Sequence, residues 1–361
     1  MNKMVIKLIA VMIAGMVFLT ACRPPDIEGT VLNIQKQLYD DALLSAEKAV
    51  QTNPENAEAW FYWGWLNAEQ KKDYSLMNEA FDKALALNPA MKVYFNGTNV
   101  SAQNAIENYR GSLYANNFNS AVKLIPEAQQ MEKGDLQTKK FEQALEKLSI
   151  AQQVSPERAE TYRPMALTYM YLGDTTKAES AVEEMLSHSE GDEENTYMAG
   201  EIYSMIGKTD KAFDLFSKVI EMNPQNSKAY QKLGIIESNR KNWDEANNYY
   251  QKAMEMDPDN ADLAFNIAVS YYNQTKLKEA IPFFLKSLEA EPDNENTVEV
   301  VGRSYVAAQM FDDALPFLED AVDRFPENAT LWEYLAMTYG QKGMTDKAND
   351  AFAKSKALKG E

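Results

Sequence analysis

The chain has 361 residues, 45% apolar and 25% charged, the composition of an ordered body and not of a disordered chain. Its 36 Lys and Arg stand against 54 Asp and Glu, and the formal charge of −18 repels a phosphate backbone, which excludes nucleic acid as a partner; the acidity reads as solvated helix faces. With one cysteine, Cys22, and one histidine, His188, the chain can assemble no intrachain disulfide, no Cys/His metal site and no Cys/His catalytic pair, and His188 itself reads as part of a polar surface loop.

Asn2, Lys3 and Lys7 form a short basic start, and residues 8–21 are apolar or small without a charge, the layout of a cleaved secretory signal. The run falls short of the roughly 20 residues needed to span a bilayer. It ends in Leu19-Thr20-Ala21-Cys22, which resembles the lipobox of bacterial lipoproteins. That resemblance implies that residues 1–21 are removed and that Cys22 is acylated as the new first residue. Acyl chains, at about 0.8 kcal/mol per buried methylene, would hold the protein on a membrane without a spanning helix. Arg23, and not aspartate, follows the cysteine, which by the same resemblance implies the outer membrane of a bacterial envelope, facing the periplasm. Cleavage takes away Lys3 and Lys7 and no acid, so the charge moves from −18 to −20. Pro24 and Pro25 keep the tether, residues 22–26, extended.

Beyond the tether one period organises the chain. Steps of 34 from Ala144 land on Ala178, Ala212, Ala246, Ala280, Ala314 and Ala348. The same step gives Pro224, Pro258, Pro292 and Pro326, and in another phase Ala166, Gly200, Gly234, Ala268, Gly302 and Ala336. Tyr169, Tyr203, Tyr271, Tyr305 and Tyr339 share a third phase. Helices approach to about 8 Å only where a small side chain sits at the crossing, so Gly200 and Ala212 mark such crossings, with Tyr203, Phe216 and Val219 filling the space beside them. Gly173, Gly207 and Gly343 fall where a first helix needs a left-handed cap, and Pro224 stops the second. This pattern resembles the tetratricopeptide repeat (TPR), and the resemblance implies an all-α, right-handed superhelical solenoid of antiparallel helix pairs.

In chain order, residues 27–91 read as degenerate N-terminal units. Ala42, Ala49 and Pro54 belong to the first, and Trp60, Trp63, Gly64, Phe81, Ala84 and Pro89 to the second. Residues 92–158 read as irregular, with two long helices and an insertion near Lys133-Gly134-Asp135, although Gly111, Tyr114 and Ala121 suggest a distorted unit. Residues 159–361 read as a regular array, in units 159–192, 193–226, 227–260, 261–294, 295–328 and a closing one.

In TPR proteins the first helices line a concave, protein-binding groove. The resemblance places Tyr197, Glu201, Gln231, Phe265, Asn266, Tyr272, Arg303 and Tyr334 on that lining, aromatic and amide-rich. Trp65 also falls towards it, with Phe61 and Tyr62 nearby as one aromatic patch, whereas Trp60 and Trp63 fall in core phases. Arg163, Tyr197 and Gln231 at successive units, with Glu201 beside them, depart from the basic clamp by which some TPR adaptors hold a free carboxylate. Adjacent acids such as Glu193-Glu194 and Asp312-Asp313 point about 100° apart on a helix and make no acid/base pair. With no phosphate loop, nucleophile elbow or metal spacing, the sequence points to no enzyme, cofactor or metal. The expected function is a membrane-anchored scaffold that holds protein partners in a bacterial envelope complex. The alternative is a carbohydrate- or peptidoglycan-binding lipoprotein that stacks Tyr197, Phe265, Tyr272 and Tyr334 on sugar faces.

Overall fold

The computed structural model describes residues 24–360, so the expected signal segment, the expected acylation at Cys22, and Arg23 lie outside the described residues. The contacts divide the chain between Glu190 and Gly191 into two compact bodies. In each, consecutive helices pair antiparallel and pairs stack on their neighbours. No helix among the described residues is long and apolar enough to cross a membrane.

The first body runs α1 (Pro25–Gln35), α2 (Tyr39–Thr52), α3 (Ala57–Leu66), α4 (Tyr74–Leu87), β1 (Lys92–Phe95), β2 (Thr98–Ser101), α5 (Ala102–Gln129), α6 (Asp135–Val154), α7 (Tyr162–Tyr171) and α8 (Thr175–Ser187). The two long helices expected between 92 and 158 are α5 and α6, joined by the short segment 130–134. The sequence reading missed the β-hairpin that precedes them. Asn96 and Gly97 form its tip with φ of +49° and +78°, the left-handed pair that a two-residue hairpin turn requires. Lys92, Val93, Tyr94 and Phe95 alternate, which turns Val93 and Phe95 into the core beside Phe61, Tyr62 and Ile106.

The second body runs α9 (Glu193–Met205), α10 (Thr209–Met222), α11 (Ser227–Asn239), α12 (Trp243–Met256), α13 (Ala261–Asn273), α14 (Leu277–Ala290), α15 (Glu295–Ala307), α16 (Phe311–Arg324), α17 (Ala329–Gln341) and α18 (Thr345–Lys359). Each even-numbered helix carries its periodic alanine as the fourth residue. Ala212, Ala246, Ala280 and Ala314 are completely buried, and Ala348, in the last pair, is half-exposed.

The small residues of the first helices lie where neighbouring side chains leave no room. A Cβ at Gly200 would fall 2.8 Å from the Phe216 ring, one at Gly234 2.5 Å from the Tyr250 ring, and one at Gly302 2.8 Å from Leu318. Phe216, Tyr250 and Leu318 share one phase of the repeat and are all but fully buried, so each glycine faces the same kind of large filler from its partner helix.

The turn within each pair is as periodic as the helices. Residues 173, 207, 241, 275, 309 and 343 all have positive φ, between +58° and +79°. Glycine fills three of these positions, and Lys241, Thr275 and Gln309 fill the others. After each, a backbone N–H reaches back to close the helix, as Lys208 N does to Tyr203 O (2.8 Å) and Lys276 N to Tyr271 O (3.0 Å). The periodic tyrosines therefore supply five of the six carbonyls that these caps satisfy, and Glu237 supplies the other. A second capping series went unread in the sequence. The side chains of Asp192, Asn226, Asn260, Asn294 and Asn328 each accept from a first-turn N–H of the following helix.

The crossing argument is checked by a pair of substitutions. Gly234→Ala is expected to destabilise the protein by about 1–2 kcal/mol, because overpacking against the Tyr250 ring outweighs the gain in helix propensity. Gly111→Ala, where an added Cβ meets nothing within 4 Å, should stabilise it by up to about 1 kcal/mol. Thermal melts of the two variants decide the sign; a gain at both positions would contradict tight crossing at Gly234.

Candidate binding surface

The first helices of the second body, α9, α11, α13, α15 and α17, keep one flank in the core and turn the other outward. On α9 the outward flank carries Tyr197 and Glu201, both half-buried. The Tyr197 hydroxyl lies 3.4 Å from Glu201 Oε1, and its ring rests on Phe216 at 5.4 Å. Burial, then the Glu201 charge and hydrogen bond, hold this phenol well above its usual ionisation range. Glu201 also pairs with Lys232 of α11 at 3.0 Å, tying adjacent first helices together. A shallow cavity of about 580 Å³ opens here among Glu193, Glu194, Tyr197, Met198, Glu201 and Lys228.

Gln231 and Asn266 are half-buried on α11 and α13. Phe265 remains 37% exposed, its ring edge-on to Phe284 at 5.8 Å. Tyr272, two turns along α13, also approaches Phe284, edge-on at 6.3 Å. The exposed Arg303 of α15 sets its guanidinium 5.9 Å from the Tyr272 ring, within cation–π range, and only 3.9 Å separates it from Glu299. Tyr334 of α17 lies beside Arg303's helix, its ring 3.5 Å from where a Cβ at Gly302 would stand. Burial raises its ionisation above the usual tyrosine value, Arg303 opposes that, and Glu299, Glu333 and Tyr272 reinforce it.

The structure thus brings three of the expected residues, Tyr272, Arg303 and Tyr334, into one cluster drawn from three successive helix pairs. Tyr197 and Glu201 form a separate pair, and Phe265 joins Tyr272 through the buried ring of Phe284.

Trp65 lies in the first body, where its half-buried ring packs edge-on against Tyr39 (6.4 Å) and Phe95 (5.8 Å). The aromatic patch expected around it does not form as read, because Phe61 and Tyr62 are fully buried, at 0% and 1% exposure, in the core that the hairpin joins. Trp60 packs 5.4 Å from Trp63, as core residues would. His188 lies exposed in the turn that follows α8, as a surface-loop residue, and its ring stacks on Tyr162 at 5.5 Å. The adjacent acids are engaged in the framework, Glu193 accepting from Asn223 and Asn226 and Asp312 pairing with Lys342. Among the described residues no three His, Cys, Asp or Glu side chains converge in a metal-binding arrangement.

Comparison with known proteins agrees with this architecture. The family profile described as the C-terminal ARM domain of tetratricopeptide repeat protein 21 matches residues 107–301, more than half of the chain. The chain belongs to the tetratricopeptide-repeat family. A general TPR profile continues over residues 302–359, and a protein prenyltransferase alpha-subunit repeat profile matches residues 39–69. Among solved TPR structures, the C-terminal part of a TPR repeat-containing protein from Cytophaga hutchinsonii is 18% identical, with a TM-score of 0.51, covering 70% of this chain and 94% of that one. PilF of Pseudomonas aeruginosa is 15% identical (TM-score 0.46; 63% and 99% covered), and YrrB, described as a TPR protein with an unusual peptide-binding site, is 18% identical (TM-score 0.45; 51% and 94% covered). No curated protein sequence matches the chain significantly. In TPR terms, the residues clustered at Tyr272, Arg303 and Tyr334 all come from first helices.

The cluster is checked by titration. A nearby cation favours the phenolate, so Arg303→Gln is expected to move the ionisation of Tyr334 further up. Tyrosine labelled at 13Cζ reads this by NMR, with Tyr334→Phe identifying the resonance; an unmoved titration would mean that the guanidinium does not face the hydroxyl.

Proposed function

We propose that this protein is a scaffold anchored through an acylated Cys22 to a bacterial membrane, the outer one facing the periplasm, where it holds protein partners of an envelope complex on its first-helix surface. The TPR fold supports the coarser part of this reading, a protein-interaction scaffold. The observation that carries the choice of surface is the Tyr272, Arg303 and Tyr334 cluster. Large rings and a guanidinium dominate binding energies at protein interfaces, since they bury area and still offer polar contacts at a small cost in side-chain entropy. Here Arg303 is a solvent-facing cation in a strongly acidic chain, placed 5.9 Å from a ring and paired only loosely with Glu299 at 3.9 Å.

The basic start, the uncharged run and Leu19-Thr20-Ala21-Cys22 support the anchor. Several acyl chains on one residue give stable attachment, and the net charge of the body keeps it off an anionic headgroup layer.

Two variants test the two halves of the reading separately. Cys22→Ala is expected to abolish labelled palmitate incorporation and release the protein from the membrane fraction. Tyr272→Ala combined with Arg303→Ala is expected to leave the protein on the membrane and lower recovery of crosslinked partners about tenfold or more, in line with the loss of two interface anchors. Unchanged recovery would move the binding surface elsewhere, and a fluorescence response to cell-wall fragments without any protein present would favour the carbohydrate reading.

A further inference from the structure

One first helix in the protein already carries an occupant on its outward flank. In α3, Tyr62 stands two residues before the small crossing residue Gly64, and Trp65 one after it. These are the phases that Tyr334 and Met337 hold around Ala336 in α17. The equivalence is structural as well as numerical: Gly64 lies eight residues after the N-cap Asn56, as Ala336 lies eight after the N-cap Asn328, and a Cβ at Gly64 would meet Ala80 at 2.9 Å and Phe81 at 3.1 Å, as one at Gly200 meets Phe216. The hairpin strand β1 lies against this flank of α3. Tyr94 donates its backbone N–H to the Tyr62 hydroxyl (2.9 Å), and the hydroxyl donates in turn to the Tyr94 carbonyl (3.2 Å). The next residue of the strand, Phe95, sets its ring on Trp65 at 5.8 Å and on Phe61 at 5.9 Å. One phenol thus reads both backbone groups of a single extended residue, and the ring three positions further along the helix takes the following side chain.

At α17 the same two positions stand open. The Tyr334 hydroxyl makes no hydrogen bond to any described residue, although its ring is half-buried. Met337 is 46% exposed. Glu333 replaces Phe61 and pairs with Lys359 of α18.

We propose that α17 binds an extended peptide segment as α3 binds β1: the Tyr334 hydroxyl clasps the N–H and C=O of one residue, and Met337 takes a large apolar side chain from the next. This deepens the scaffold reading and rests on it. Recognition is of backbone in strand conformation, so the bound segment needs no free terminus.

The hairpin's own strand supplies the probe: an acetylated, amidated peptide of residues 91–96 with a photoreactive benzoylphenylalanine in place of Phe95. Added to the full chain in detergent, it is expected to crosslink within α17 near Met337. Tyr334→Phe, which removes one oxygen and keeps the ring, should lower the yield about five- to tenfold, the effect of losing a hydrogen-bonding group from a partly buried contact. Met337→Ala should lower it as well. Crosslinks confined to other helices, or a yield indifferent to Tyr334→Phe, would overturn the proposal. Partner capture under Tyr272→Ala and Arg303→Ala keeps the two readings apart: a loss of partners without α17 crosslinking removes the strand mode and leaves the scaffold, and α17 crosslinking without that loss supports strand binding and relocates the partner.

Discussion

The closeness with which paired helices approach governs the rest of this structure. Gly64, Gly200, Gly234 and Gly302 stand where a methyl group would meet a neighbouring side chain at under 3 Å, and the neighbour at Gly200, Gly234 and Gly302 is a large buried one. Dispersion contacts fall off steeply with distance, so that approach turns a pair of short helices into a unit with its own dense filling. The even-numbered helices of the second body repeat the device with alanine, and the units can stack because every junction there uses one solution. The outward residues of the first helices are then held at regular intervals by packing that lies beneath them.

Much of this was legible before any coordinates. The alanine, glycine and proline phases located the helix pairs of residues 159–361, and the left-handed glycines located their turns. The hairpin escaped because the search followed a helical period, although Asn96-Gly97 between alternating residues was the available signal. Its absence from the reading led to a second error. Phe61 and Tyr62 do sit on the outward flank of α3, but a strand from the same chain covers that flank, and no periodicity within a helix reveals what lies on top of it. The cluster of Tyr272, Arg303 and Tyr334 was legible only as separate residues. Their meeting depends on one lying late in α13, one central in α15 and one early in α17, an offset set by how adjacent pairs are displaced.

Charge has two uses in the second body. Several acids are spent on the framework: Glu193 ties Asn223 and Asn226, Glu201 meets Lys232, and Arg240 bridges the exposed Asp210 and the buried Glu237. The more exposed of these pairs contribute little each, and their repetition mainly fixes orientation between neighbours. Arg303 differs because its pairing with Glu299 is loose, at 3.9 Å, and its guanidinium also faces the Tyr272 ring at 5.9 Å. A cation so loosely held in an anionic setting is a point of discrimination between ligands more than a source of stability.

The three consecutive turns at Lys241, Thr275 and Gln309 carry a further implication. A side chain in the left-handed region costs about 1 kcal/mol or more where glycine costs little, and Thr275 is branched at Cβ as well. In a linear array each unit leans only on its neighbours, so such penalties are not averaged over the whole. Each of the three pairs closed by these turns, midway along the second body, is accordingly less stable by that amount than a glycine-turned pair would be, so the array yields there more readily than its packing alone would suggest.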